Sequence, residues 1–145
     1  MIRNGLLGLA LAVALTAATH AQAAGNAGLV KRGDYPVTTI MTCGHCRTPH
    51  GPKGPIMAKT FSGGLSWDEP PFKVTASNIT PDKETGLGNW TDAEIKRAIT
   101  KGVDDEGKHL KPPMGFAMYD NMYDKMTSSD IDDIIARLRT LPAKE

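Results

Sequence analysis

The chain has 145 residues, enough for one domain, and its 17 Lys and Arg against 16 Asp and Glu leave no basic excess of the kind a nucleic-acid binder shows. Aromatic residues make up only 6% of it, while Gly occurs 15 times and Pro 10 times, a composition that points to short helices joined by long ordered loops. A domain of this size buries a proportionately small core, which a large bound group would help to fill.

Residues 1–23 read as a removable export signal. Arg3 supplies the positive start, Gly5 to Ala18 is an apolar run, and Ala21-Gln22-Ala23 is a small-x-small signal for cleavage before Ala24. The apolar run is shorter than the roughly 20 residues a helix needs to cross a bilayer. Removing Arg3 leaves 16 basic residues to balance 16 acidic ones, so function must come from a local site and not from a global field. The expected folded unit is 24–145, exported and soluble, with no transmembrane anchor after signal cleavage.

From Ala27 to Thr42 there is room for one helix, with Val30, Val37, Ile40 and Met41 as candidate buried positions. Pro36 is tolerated only in a first turn, so the helix is expected to start near Tyr35 and run into the cysteines. The segment Cys43-Gly44-His45-Cys46-Arg47-Thr48-Pro49-His50 then gathers both cysteines and two histidines. It nearly matches C-x-x-C-H, in which two thiols form thioethers to a porphyrin and the histidine binds iron. Here the fifth residue is Arg47, whose protonated guanidinium has no lone pair to offer a metal.

Between Thr48 and Thr80, the Pro and Gly residues and the absence of sustained periodicity predict loop. So long a loop in a small domain is expected to wrap something, and Phe61, Leu65, Trp67 and Phe72 are its apolar anchors. The turn-rich stretch Asn78 to Trp90 leads into a helix with clear boundaries. Thr91 and Glu94 form a capping box, Ile95, Ala98 and Ile99 an apolar stripe, and Gly102 a stop. Leu110-Lys111-Pro112-Pro113-Met114-Gly115-Phe116 is neither helix nor central strand. The last helix is capped by Thr127 with Asp130, buries Ile131, Ile134, Ile135 and Leu138, and ends at Pro142. Asp132, Asp133, Arg137 and Arg139 read as its solvated side.

Taken in order, these segments resemble bacterial monohaem c-type cytochromes, the class I cytochrome c-like domains that include cytochrome subunits of periplasmic dehydrogenases. The resemblance covers most of residues 28–142. It rests on Arg32-Gly33-Asp34-Tyr35, Cys43-Gly44-His45-Cys46 with Thr48-Pro49, Asn78-Ile79-Thr80-Pro81-Asp82, Thr85-Gly86-Leu87-Gly88, Trp90-Thr91-Asp92 with Glu94, Pro112-Pro113-Met114 and Leu138-Arg139-Thr140-Leu141-Pro142. It implies an all-α small cytochrome c fold, short helices and long ordered loops around one haem c. Cys43 and Cys46 become the covalent attachment points, Met114 the distal iron ligand and Trp90 a residue packing beside the haem. The competing reading of Met114 is a core methionine, since Met118, Met122 and Met126 follow at helical spacing. Met114 is preferred because it lies in the Pro-Pro loop.

The departure at Arg47 leaves the proximal ligand open. His50 is the candidate if the chain folds back under the porphyrin, His45 is weaker because it lies between the cysteines, and His109 sits in a polar turn. The resulting expectation is a periplasmic single-electron carrier, not an enzyme, that passes electrons from a dehydrogenase to a downstream cytochrome or oxidase. Two alternatives stand beside it. One is a haem-free protein in which Cys43 and Cys46 form a disulfide or, with His45 and His50, a Zn or Cu site. The other is a five-coordinate haem sensor or peroxidase-like protein.

Overall fold

A computed structural model describes residues 26–70, 72–115 and 123–145. The expected export signal at 1–23 lies outside the described residues, as do Phe116, Met118, Met122 and the side chain of Phe72.

The first helix, α1, is already under way at residue 26 and runs to 35, then continues as a π-helical turn over Pro36–Ile40. The expected start near Tyr35 is therefore too late. Pro36 has no N–H and crowds the carbonyl four residues back, features that in a sequence mark the beginning of a helix. The chain instead widens the turn, and the Met41 N–H reaches the Pro36 carbonyl at 2.8 Å, five residues back. Val37 is fully buried on this turn, Met41 is partly buried, and Ile40 faces out at 62% exposure. Thr42, in the left-handed region at φ 47°, breaks the helix before the single turn of α2, Cys43–Cys46.

The long loop that follows contains two antiparallel pairs: β1 (His50–Gly51) with β2 (Gly54–Pro55), and β3 (Ser66–Glu69) with β4 (Phe72–Thr75). The all-α expectation is thus overturned, since two small sheets accompany the helices. Strands of two to four residues are too short to show an alternating pattern in sequence. They are legible only in the pairing, where Trp67 faces Val74 and the Ser66 and Thr75 hydroxyls meet at 2.7 Å.

Helices α3 (Asp92–Lys101) and α4 (Ser128–Arg139) each begin with a complete capping box, Thr91 with Glu94 and Thr127 with Asp130. Their apolar stripes pack together and against the π turn, around Val37, Ile95, Ile131, Ile134 and Leu138. The loop entering α3 is held from within. Asn78 Oδ1 accepts both the N–H and the hydroxyl of Thr80 at 2.8 Å, and Thr80 is fully buried. Gly86 and Gly88 are required there, because a Cβ would lie 2.3 Å from the Thr80 carbonyl and 2.6 Å from that of Pro81.

Of Asp132, Asp133, Arg137 and Arg139 on α4, Asp132 alone is exposed, so the four do not form a solvated face. Asp133 is buried and takes a bidentate pair from Arg32, at 2.7 and 2.8 Å. Arg137 donates to Asp34 at 2.6 Å, and Arg139 binds Asp92 at 2.8 Å and the carbonyls of Leu87 and Trp90. Sequence spacing placed these groups opposite the Ile and Leu stripe and could not show that another helix lies over them. Between the two ion pairs, Gly33 lets α1 touch α4, since a Cβ on residue 33 would stand 1.9 Å from the Asp133 carbonyl oxygen.

Gly33→Ala is expected to force these helices apart and destabilise the domain by roughly 1–3 kcal/mol, read as a lower urea midpoint, while Asp132→Ala stays within about 0.5 kcal/mol of the parent. Acid sensitivity has a local origin. The Thr91 N–H and hydroxyl hold Glu94 below its ordinary 4.5, and the Thr85 N–H and hydroxyl hold Asp82 below 3.8. The unfolded chain then takes up these protons at higher pH than the folded one, so the stability they confer is complete above the ordinary values and lost as pH falls through the lowered ones. Melting temperature should fall with pH through this window, and less steeply for Glu94→Gln.

Candidate functional site: a cysteine turn facing an apolar cavity

Cys43 and Cys46 stand three residues apart on α2 and so share a face. The turn is fixed by its neighbours. Gly44 admits the side chains of Thr60 and Phe61, which a Cβ would meet at 3.2 Å. Buried Thr48 donates its hydroxyl to the Gly44 carbonyl at 2.6 Å, and the Gly63 N–H bonds the Arg47 carbonyl at 2.9 Å. Two loops therefore hold the cysteines in place before any ligand is considered.

Both cysteines line one apolar cavity. Leu87 and Trp90 come to it from the turn-rich loop, Ile95 and Ile99 from α3, and Ile134 and Leu138 from α4. Met114 lines it as well, beyond the cis Pro112-Pro113 bond. An adjoining space shares Met41, Cys46, Arg47, Ser77, Met114 and Tyr123, and adds Asp104, Lys108, His109 and Lys111 at its rim. The structure thus brings Cys43, Cys46, Trp90 and Met114 to one cavity.

His50 is not brought there. It lines a different cavity with His45, Met57 and Phe61, and its Nδ1 lies 3.1 Å from the Thr48 carbonyl oxygen. The fold-back under the cysteines that His50 would need as an iron ligand is not formed, because β1 carries it the other way into pairing with Pro55. The Zn or Cu clip of Cys43, Cys46, His45 and His50 is not assembled either. Among the described residues, no group of three or more His, Cys, Asp and Glu side chains is placed to hold a metal ion.

The nitrogenous side chain in the wall beside Cys46 is Arg47. Its Nη1 donates to the carbonyl and the hydroxyl of Ser77, both at 2.7 Å. Among the described residues it has no carboxylate partner. Burial lowers its pKa, an effect opposed by attraction to Cys43 and Cys46. Burial likewise raises the Cys43 thiol, with Arg47 pulling the other way, and raises Tyr123, whose phenolate would also be repelled by the two thiolates.

A covalently held haem asks for two thiols on one face, an apolar box and a ligand for the iron. The thiols, the box and a soft thioether at Met114 are all present, so the cavity fits the group with one protein ligand. The place usually taken by imidazole is held by a cation that cannot ligate. Sequence reasoning missed Ser77, Met41 and Tyr123, none of which belongs to a motif. It read Ile95, Ile99, Ile134 and Leu138 as plain core, yet the ends of both stripes run out onto the cavity wall.

No family model matches the chain. The chain is 36% identical over 121 residues to the cytochrome c subunit of a quinone alcohol dehydrogenase from Gluconobacter oxydans, covering 80% of this chain and 23% of that protein. It is also 36% identical over 94 residues to the cytochrome c subunit of gluconate 2-dehydrogenase from Pantoea cypripedii, covering 65% and 20%. A diheme c-type cytochrome from Cereibacter sphaeroides is 32% identical over 126 residues, covering 84% and 39%. The chain spans well under half the length of these relatives. Similarity across most of this chain to several cytochrome c proteins agrees with the cysteine turn, Met114 and the apolar cavity, and the chain belongs to the class I c-type cytochrome-like domains.

Proposed function

We infer that this domain carries one haem c, attached through Cys43 and Cys46 and ligated by Met114, and serves as a single-electron carrier in the periplasm. The observation that carries the reading is the meeting of both thiols and the Met114 thioether on one apolar cavity. When bound, the haem supplies the redox couple, and a thioether ligand favours the reduced form. The chain's own residues do the rest. Ile95, Ile134 and Leu138 exclude water, which keeps the reorganisation that accompanies electron transfer small. Arg139 fixes Trp90 and Leu87 against that box by their carbonyls. In this reading the domain works as a relay and not as an enzyme.

A dehydrogenase is the proposed donor and a downstream cytochrome or oxidase the proposed acceptor, each meeting the domain through a small transient contact. The donor assignment draws on the relatives that are cytochrome c subunits of dehydrogenases. Residues 1–23 would direct export and be removed. A second reading has one observation in its favour: among the described residues, the lining of the cysteine cavity includes no histidine. A haem with a weakly filled coordination position there would suit a sensor or a peroxidase-like protein.

Expression of the full precursor with haem maturation available should give a coloured protein whose intact mass shows one covalent haem and a chain beginning at Ala24. A colourless product at apoprotein mass overturns the proposal, and Cys43→Ser with Cys46→Ser should abolish the adduct. Two further variants separate the ligands. Met114→Ala should alter the visible spectrum and lower the reduction potential, while His50→Ala should leave both unchanged; a spectral change in His50→Ala alone would return His50 to the iron.

A further inference from the structure

The cavity wall contains a full positive charge that the electron-carrier reading does not use. A guanidinium has five N–H donors, and two hydrogen bonds of Arg47 are directed to neutral acceptors, both on Ser77. Among the described residues, the cysteine cavity is lined by no Asp or Glu, and the adjoining rim by a single carboxylate, Asp104, against Lys108, His109 and Lys111. Lys108 is paired with Glu106, and Asp104 offsets Lys111, so the rim has no net sign and Arg47 is the one charge in the described lining of the cysteine cavity. A charge left without a counter-ion beside low-dielectric walls is costly, and an entering anion relieves that cost.

We propose that Arg47, pinned by Ser77, makes this cavity a receptor for a small exogenous monoanion that lies against the guanidinium beside Cys46. The inference rests on the haem reading for the anion's destination, the iron position that lacks an imidazole. The porphyrin's own carboxylates are the other source of negative charge. Lys111 at the rim is available to them, whereas Arg47 is held to Ser77 within the wall. A free anion is therefore the occupant that Arg47 selects.

The test uses the purified, exported full chain, titrated with azide and, as a neutral ligand for the same iron, with imidazole, both followed by absorbance. The parent should bind azide. Arg47→Gln should weaken azide by roughly tenfold or more, the loss expected for one charge-assisted hydrogen bond, and leave imidazole affinity near that of the parent. Ser77→Ala, which keeps the charge but frees it from its anchor, should show an intermediate loss of azide affinity. No azide binding by the parent, or equal azide affinity in parent and Arg47→Gln, overturns the inference while the haem reading stands. If intact mass shows no haem, that reading fails by itself, and tryptophan quenching in the same colourless protein takes over, because Trp90 lines the cavity and Trp67 its rim. Iodide should then quench the parent more strongly than Arg47→Gln with equal quenching by acrylamide, and equal iodide quenching overturns the anion site.

Discussion

The contact between Gly33 and the backbone of Asp133 governs how the remaining elements can be arranged. With no Cβ at residue 33, α1 lies directly on α4, and the bidentate Arg32 to Asp133 pair and the Arg137 to Asp34 bond flank the point of contact. This closeness seals one side of the core, burying Val37 and Ile131 completely. It also fixes where the chain leaves α1, and therefore where the cysteine turn stands relative to Ile134 and Leu138 on α4. Burying one carboxylate is tolerable because a planar guanidinium satisfies both of its oxygens at once.

A second arginine of α4 extends this ordering to the other wall of the cavity. Arg139 reaches two loop carbonyls and Asp92, so the stretch carrying Leu87 and Trp90 is tied to the end of α4 and to the start of α3. Asn78 and Thr80 secure the same loop from within and also bond Lys144, so the last residues close over it. The cavity is therefore framed by polar links placed behind its apolar walls. Such an arrangement keeps the walls apart without filling the space between them, as a site for a flat rigid group requires.

Much of this was legible in the sequence, and what was not has definite physical causes. The capping boxes at Thr91 and Thr127, the stop at Gly102 and the Ile stripes depend on neighbours three or four residues away, and each was found where the spacing put it. The strand pairs from His50 to Thr75 escaped because strands of two and four residues are too short for an alternating pattern to stand out. Asp133 and Arg137 were misread because their partners lie 101 and 103 residues away. The cavity was partly visible, since Cys43, Cys46, Met114 and Trp90 could be named from motif and resemblance. Ser77 could not, because an unremarkable serine acquires its role only when Arg47 is folded onto it.

The widened turn at Pro36–Ile40 has a consequence for how the cysteines are aimed. A π turn accommodates one residue more than an α turn, so the chain beyond it is rotated about the helix axis without a break in the rod. That rotation brings Val37 to the core and Met41 to the cavity while leaving Ile40 outside. Pro36 thereby acts as a phase shifter between the part of the helix that grips α4 and the part that delivers Cys43. A chain of the same length that ran through this segment as plain α-helix would keep the same grip, but its thiols would face a different direction.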